Sequence, residues 1–156
     1  MKKILLGSVV VGLMLVSSMA TSACVCTSLP NPTPEQIRAQ LAYELKNARI
    51  VFSGEVIQLD KFTVKFKIEK VWKGDIKEEI ILSTGTRDIG NNRIIWSSCD
   101  HWFERGGKYL VYAQGSGEEM QANSCGGTGK IGNSEQRIEF LAEDARRGSS
   151  EIKHNP

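Results

Sequence analysis

The sequence predicts a mainly β domain: a small closed antiparallel barrel of short strands, flanked by two helices. Three observations carry that expectation. Phe62, Val64, Phe66 and Ile68 alternate with Thr63, Lys65, Lys67 and Glu69, the period-two pattern of a strand with one buried face. Glycine-marked turns recur between short β-rich runs, at Gly74, Gly90, Gly106-Gly107 and Gly115-Ser116-Gly117. Helical periodicity is confined to one segment on each side of those runs. A sandwich and a two-layer α+β sheet are the alternative ways to arrange the same elements.

Residues 1–23 read as a secretory signal. Lys2-Lys3 is the positive start, Ile4–Val16 is apolar with only small interruptions, and Ser18–Ala23 is small and weakly polar. The apolar stretch is short for a transmembrane span, and no stop-transfer charges follow it. Thr21-Ser22-Ala23 places small residues at both recognition positions of the peptidase. A cut after Ala23 leaves 133 residues that begin with Cys24. Ser18-Met19-Ala20 is a competing cleavage site. Lipidation of Cys24 is a third outcome, and the only one that would put the protein on a membrane. The expected product is exported, periplasmic or secreted, and monomeric.

Ser28–Pro34 is a Pro-rich connector. Thr33 then looks like an N-cap, with Pro34 at the first helical position and Gln36 completing a capping box. Ile37, Leu41, Leu45 and Ala48 keep helical spacing, which predicts a helix over about 34–47. Ile50–Leu59 is a β-rich run with a bulge or bend expected at Gly54. The alternating strand at 62–68 has an outward row of lysines, read as a solvated face. Lys73-Gly74 turns the chain into a strand at Glu79–Thr84, and a polar loop around Gly90-Asn91-Asn92 follows. Arg93–Ser97 is a short strand leading to Cys99. Lys108–Ala113 and Met120–Cys125 complete the set. A last helix over about 134–147 starts at Asn133 or Ser134. It carries Ile138, Leu141, Ala142 and Ala145 on one face and ends at Gly148. Domain 24–148 is therefore followed by a flexible tail, 149–156.

The formal net charge of +2 rests on Lys2 and Lys3, the only charges in the first 23 residues. The remainder carries 18 basic and 18 acidic side chains and sums to zero. That balance excludes nucleic acid as the expected partner, since phosphate neutralisation needs a basic face. The two histidines, His101 and His154, support no enzyme reading. Cys99-Asp100-His101 is a poor nucleophile–base pair, because adjacent residues seldom point together and Cys99 is expected to be oxidised. No cofactor is expected. Trp72, Trp96, Trp102 and Phe103 are read as core or wedge-supporting packing, with a ligand platform as the alternative.

Export makes disulfides the default state of Cys24, Cys26, Cys99 and Cys125. A bond between Cys24 and Cys26 would close a very small ring. Two connectivities remain, each linking Cys24 and Cys26 separately to Cys99 and Cys125. Either set closes loops worth on the order of 4–5 kcal/mol each in the chain-entropy account. Either set also staples Cys24-Val25-Cys26 onto the domain, where a terminus is normally loose. Metal ligation by the same thiolates with His101 is the competing reading, but the paired C-x-x-C knuckles of structural zinc sites are missing.

These motifs resemble a known family. The pattern is Cys24-x-Cys26, a helix, Val51-Phe52-Ser53-Gly54-Glu55-Val56, Phe66-x-Ile68-x-x-Val71-Trp72-Lys73-Gly74, Ser97-Ser98-Cys99, Gly106-Gly107-Lys108-Tyr109-Leu110-Val111-Tyr112-Ala113 and Cys125. It is similar to the N-terminal domain of tissue inhibitors of metalloproteinases, within the netrin-like group. The resemblance implies a mainly β, five-stranded closed antiparallel OB-fold (netrin-like) barrel. It implies the disulfides Cys24–Cys99 and Cys26–Cys125. It also implies a metalloproteinase inhibitor whose Cys24 amine and carbonyl bind the catalytic zinc of the target. Val25 would then point into the specificity pocket, and Cys26, Ser97, Ser98 and Cys99 would complete the inhibitory wedge. The family's third disulfide in this domain has no counterpart in the helix at 34–47. A helix stands where animal members have a second domain. The alternative is a secreted or lipid-anchored module of the same fold that binds a protein or carbohydrate without inhibiting.

Overall fold

The computed structural model describes Cys24, Cys26 and residues 29–152, with side chains through residue 148. The expected export signal, Val25 and residues 153–156 lie outside the described residues. Helix α1 (Pro34–Asn47) starts as the capping box predicts. The Thr33 hydroxyl accepts the Gln36 N–H at 3.3 Å, and the Gln36 side-chain oxygen accepts the Thr33 N–H at 2.8 Å. Together they satisfy two donors that a helix start leaves unpaired.

The strands that follow are β1 (Ile50–Leu59), β2 (Thr63–Lys73), β3 (Glu79–Ser83), β4 (Arg87–Asp88), β5 (Ile94–Ile95), β6 (Lys108–Gln114), β7 (Gln121–Ala122) and β8 (Gly129–Lys130). Five of them close a barrel in the order β1-β2-β3-β7-β6, and β6 returns to pair with β1. The barrel is mixed and not wholly antiparallel. β3 and β7 run parallel, through Ser83 and Gln121, while the other ring pairs are antiparallel. The reason is parity: an odd number of strands cannot alternate direction all the way round a closed ring. One parallel seam is therefore compulsory.

Two apolar layers follow from this closure. Phe52, Val56, Val64, Phe66, Leu82, Phe103, Tyr109 and Val111 belong to the core cluster inside the barrel. Phe52 and Phe103 meet Phe66 edge-on, and Tyr109 meets Phe103 in the same way, with centroids 5.0–5.3 Å apart. Val51, Leu110 and Tyr112 alternate with these and face outward, against Ala48 and Leu141. β1 and β6 are thus covered on both faces. That is why Tyr109–Ala113 reads as a continuous apolar run and not as an alternating one. The expected irregularity at Gly54 is present as a register shift between Ser53 and Gly54. A side chain there would press on the Lys67 carbonyl of β2.

The Lys73-Gly74 pair does more than turn the chain. The Lys73 ammonium donates to the carbonyls of Leu45, Lys46 and Ala48 at 2.8, 3.2 and 2.7 Å, closing the C-terminal end of α1. Those carbonyls have no partner within the helix, and a cation there also complements the helix dipole. Gly74 takes a positive φ of 90° against the Ile50 side chain, which no other residue could do without strain.

Helix α2 (Glu135–Ile152) begins where expected but does not stop at Gly148. Gly148 is not among the positive-φ glycines, so it makes no left-handed cap. A single interior glycine costs only about 1 kcal/mol relative to Ala and does not end a helix by itself. α2 also buries Phe140 alongside Leu141, outside the expected stripe, because it packs on α1 as well as on the barrel. The Arg137 guanidinium joins the helices, donating twice to the buried Glu44 carboxylate at 2.8 and 2.9 Å. That hydrogen bonding raises the Arg137 pKa above its ordinary value.

Between β7 and β8, a side chain substitutes for a strand. The Thr128 hydroxyl accepts the Tyr112 N–H at 2.9 Å and donates to the Tyr112 carbonyl at 3.3 Å, both buried. Thr128→Val keeps the shape and removes both bonds, leaving a buried N–H unpaired. We expect a loss of about 1–3 kcal/mol, read as a lower urea midpoint at unchanged slope. An unchanged midpoint would mean that the bond contributes nothing.

Candidate functional site

The candidate site is built on a turn between the barrel and its side hairpin. β4 and β5 pair only with each other, so the short strand expected at 93–97 leaves the barrel. After β5 the chain makes a tight turn, Ser97–Asp100, organised by a buried carboxylate. The Ser97 N–H donates to Asp100 Oδ2 at 2.7 Å, and the Asp100 N–H donates to the Ser97 carbonyl at 3.1 Å. The Cys99 N–H donates to the Ser97 hydroxyl at 3.1 Å. Gly85, at φ +84°, passes directly against this carboxylate, and a Cβ there would fall within it.

The turn is joined to the residues after β7. Asp100 and Asn123 form an antiparallel bridge. The Ser124 N–H donates to the Cys99 carbonyl at 2.8 Å, and the Ser124 hydroxyl donates to the Asp100 carbonyl at 3.1 Å. Cys99 and Cys125 therefore stand side by side at one end of the barrel. Cys24 is bonded to Cys99 with Cα atoms 5.0 Å apart, and Cys26 to Cys125 at 5.1 Å. The Cys24 and Cys125 sulfurs are 3.7 Å apart, so the two crosslinks touch. With all four cysteines paired, no thiolate remains for the metal-ligation reading. Among the described residues, no group of three or more His, Cys, Asp and Glu could hold a metal ion.

The main chain of Cys24 is held as well as its side chain. The Cys24 N–H donates to the Ser98 hydroxyl at 2.8 Å, in an exposed position. Cys24, Cys26, Ser97, Ser98 and Cys99 thus come together. Val25 lies outside the described residues. This arrangement can present the nitrogen and carbonyl of one residue at a defined place, with little freedom left to lose on binding.

The aromatic expectation is corrected. Phe103 is core and Trp72 is half-buried, with the Lys70 ammonium 3.6 Å from its ring centre. Trp96 and Trp102 are not core residues. They are 63% and 71% exposed and meet edge-on at 6.2 Å, one on each side of the Ser97–Asp100 turn. Nothing in their spacing distinguished them from core tryptophans. His101, between the turn and the core, rests against Phe103 and Tyr109, and burial lowers its pKa below the ordinary imidazole value.

A scan of protein-family models and a search of curated proteins find no match to the chain.

Gly85 tests how the turn is held. Gly85→Ala combines a positive φ with collision against Asp100, and should cost about 3 kcal/mol or more. Gly90→Ala has a similar φ of +81° but open space around it, and should cost only about 1–2 kcal/mol. Denaturant unfolding of both variants checks the difference. Equal losses would mean that the Asp100 contact is loose.

Proposed function

We propose that this protein is exported, cleaved after Ala23, and inhibits a zinc metalloproteinase through the main chain of Cys24, like the N-terminal domain of tissue inhibitors of metalloproteinases. The observation that carries the proposal is the fixed Cys24: disulfide to Cys99, N–H on the Ser98 hydroxyl, at an exposed end of the barrel. The chemistry follows from what the target offers. A catalytic zinc keeps one position for water. A free N-terminal amine has a pKa near ~8, so a useful fraction is neutral near pH 7. The amine nitrogen and carbonyl oxygen of one residue close a five-membered ring on the metal and displace that water. An amide nitrogen cannot do this, because its lone pair is shared with the carbonyl.

In this reading Val25 enters the pocket beside the zinc, and Ser97 and Ser98 form the second half of the wedge. The Cys26–Cys125 bond keeps the segment in line. Two disulfides fit an oxidising compartment outside the cytoplasm. No described helix is long and apolar enough to cross a membrane.

The test is a single added residue. Protein beginning at Cys24 should inhibit one or more members of a panel of zinc-proteinase catalytic domains carrying the His-Glu-x-x-His motif. The same protein preceded by one Ala should be weaker by at least ~100-fold, two factors of ten in affinity. Tight inhibition by the Ala-extended form would rule out zinc chelation by Cys24.

A further inference from the structure

Among the described residues, Trp96, Trp102 and Tyr43 are the most exposed aromatic side chains, and Trp96 and Trp102 meet each other. Phe52, Phe66, Phe103, Tyr109 and Tyr112 are buried, whereas Trp96 and Trp102 stand in solvent beside the Ser97–Asp100 turn. The preceding β4–β5 hairpin adds Ile94 and Ile95, which are also exposed. Next to Trp102 lies a small cavity of about 120 Å³, whose lining includes Leu59, Asp60, Asp100, His101, Trp102 and Phe103. Its volume suits one apolar side chain of a partner.

We infer that Trp96 and Trp102 form a second anchor for the same metalloproteinase, an apolar clamp that grips the rim of its active-site cleft beside the zinc. The inference rests on the inhibitor reading above. Its warrant is distance and rigidity. Trp96 and Trp102 are each three residues from Cys99, whose Cα is 5.0 Å from that of Cys24. Their Cα atoms therefore lie no more than about 16 Å from that of Cys24, at full extension of the chain. A protein interface of ordinary size covers ~800 Å² per partner, a disc with a radius of about 16 Å. A proteinase seated on Cys24 therefore has the reach to cover the backbone that carries both tryptophans. The turn between them is braced by Asp100 and tied to Cys24 by a covalent bond, so the two anchors approach as one rigid unit.

The geometry also favours protein over carbohydrate. The two rings are inclined by 69°, presenting an edge and a face instead of one flat platform. That shape packs against apolar side chains of a partner. Tryptophan is among the residues enriched at the energetic hot spots of such contacts.

The experiment uses full-length mature protein, with Cys24 first, against a proteinase that the parent inhibits. Trp96→Ala/Trp102→Ala should raise the inhibition constant about 30-fold, mainly through faster dissociation, with an unchanged unfolding midpoint. As a check independent of substitution, hydrogen exchange at the amides of residues 94–102 should slow when the unaltered protein binds. An unchanged inhibition constant in the folded double variant, or no added protection at 94–102, would overturn the clamp while leaving chelation intact. Saturable binding of a soluble oligosaccharide that is abolished by the same substitutions would also overturn it. If the parent inhibits no proteinase, the chelation reading and the clamp fail together.

Discussion

Asp100 and Asn123 form a single bridge between two loops, and the arrangement of the site depends on it. The bridge brings Cys99, on the way out of the side hairpin, next to Cys125, on the way out of β7. Only with those two neighbours in place can Cys24 and Cys26, two residues apart, be tied down in parallel. The crosslinks then do what loop closure entropy allows: they remove freedom from the segment that carries Cys24 and Cys26. Asp100 acts twice. Its main chain makes the bridge, and its carboxylate closes the Ser97 turn from inside.

The barrel supplies the rest of the rigidity. β1 and β6 are buried on both faces, so the strands nearest the outer helices cannot shift without disturbing two cores. α1 is held at its start by the Thr33 cap, at its end by Lys73, and across its middle by the Glu44–Arg137 pair. The last of these pairs a buried carboxylate with a partly exposed guanidinium, in a two-pronged contact that fixes how the helices meet. The candidate site is thus an exposed edge on a body with few ways to yield.

Much of this was legible from residue pattern. The capping box around Thr33, the alternation at 62–68 and the bulge at Gly54 depend on local chemistry, and local chemistry is what a sequence states directly. The disulfide pairing came from family resemblance, since spacing alone left two connectivities open. What could not be read was set by tertiary context. The parallel β3–β7 seam involves one residue pair between segments 38 positions apart. Thr128 replaces a strand through its hydroxyl, and no periodicity marks that. Trp96 and Trp102 share their composition with core residues, and their exposure follows from the hairpin folding away from the barrel. Gly148 has the residue type of a helix stop without the left-handed backbone that makes one.

The central claim is that Cys24 begins the mature chain, with a free amine, while bonded to Cys99. Intact-mass and non-reduced peptide mapping of the exported protein measures both at once. The account predicts a product whose first residue is Cys24, unmodified, in a peptide crosslinked to the one containing Cys99. A product that retains Thr21-Ser22-Ala23, or one carrying lipid on Cys24, would contradict it.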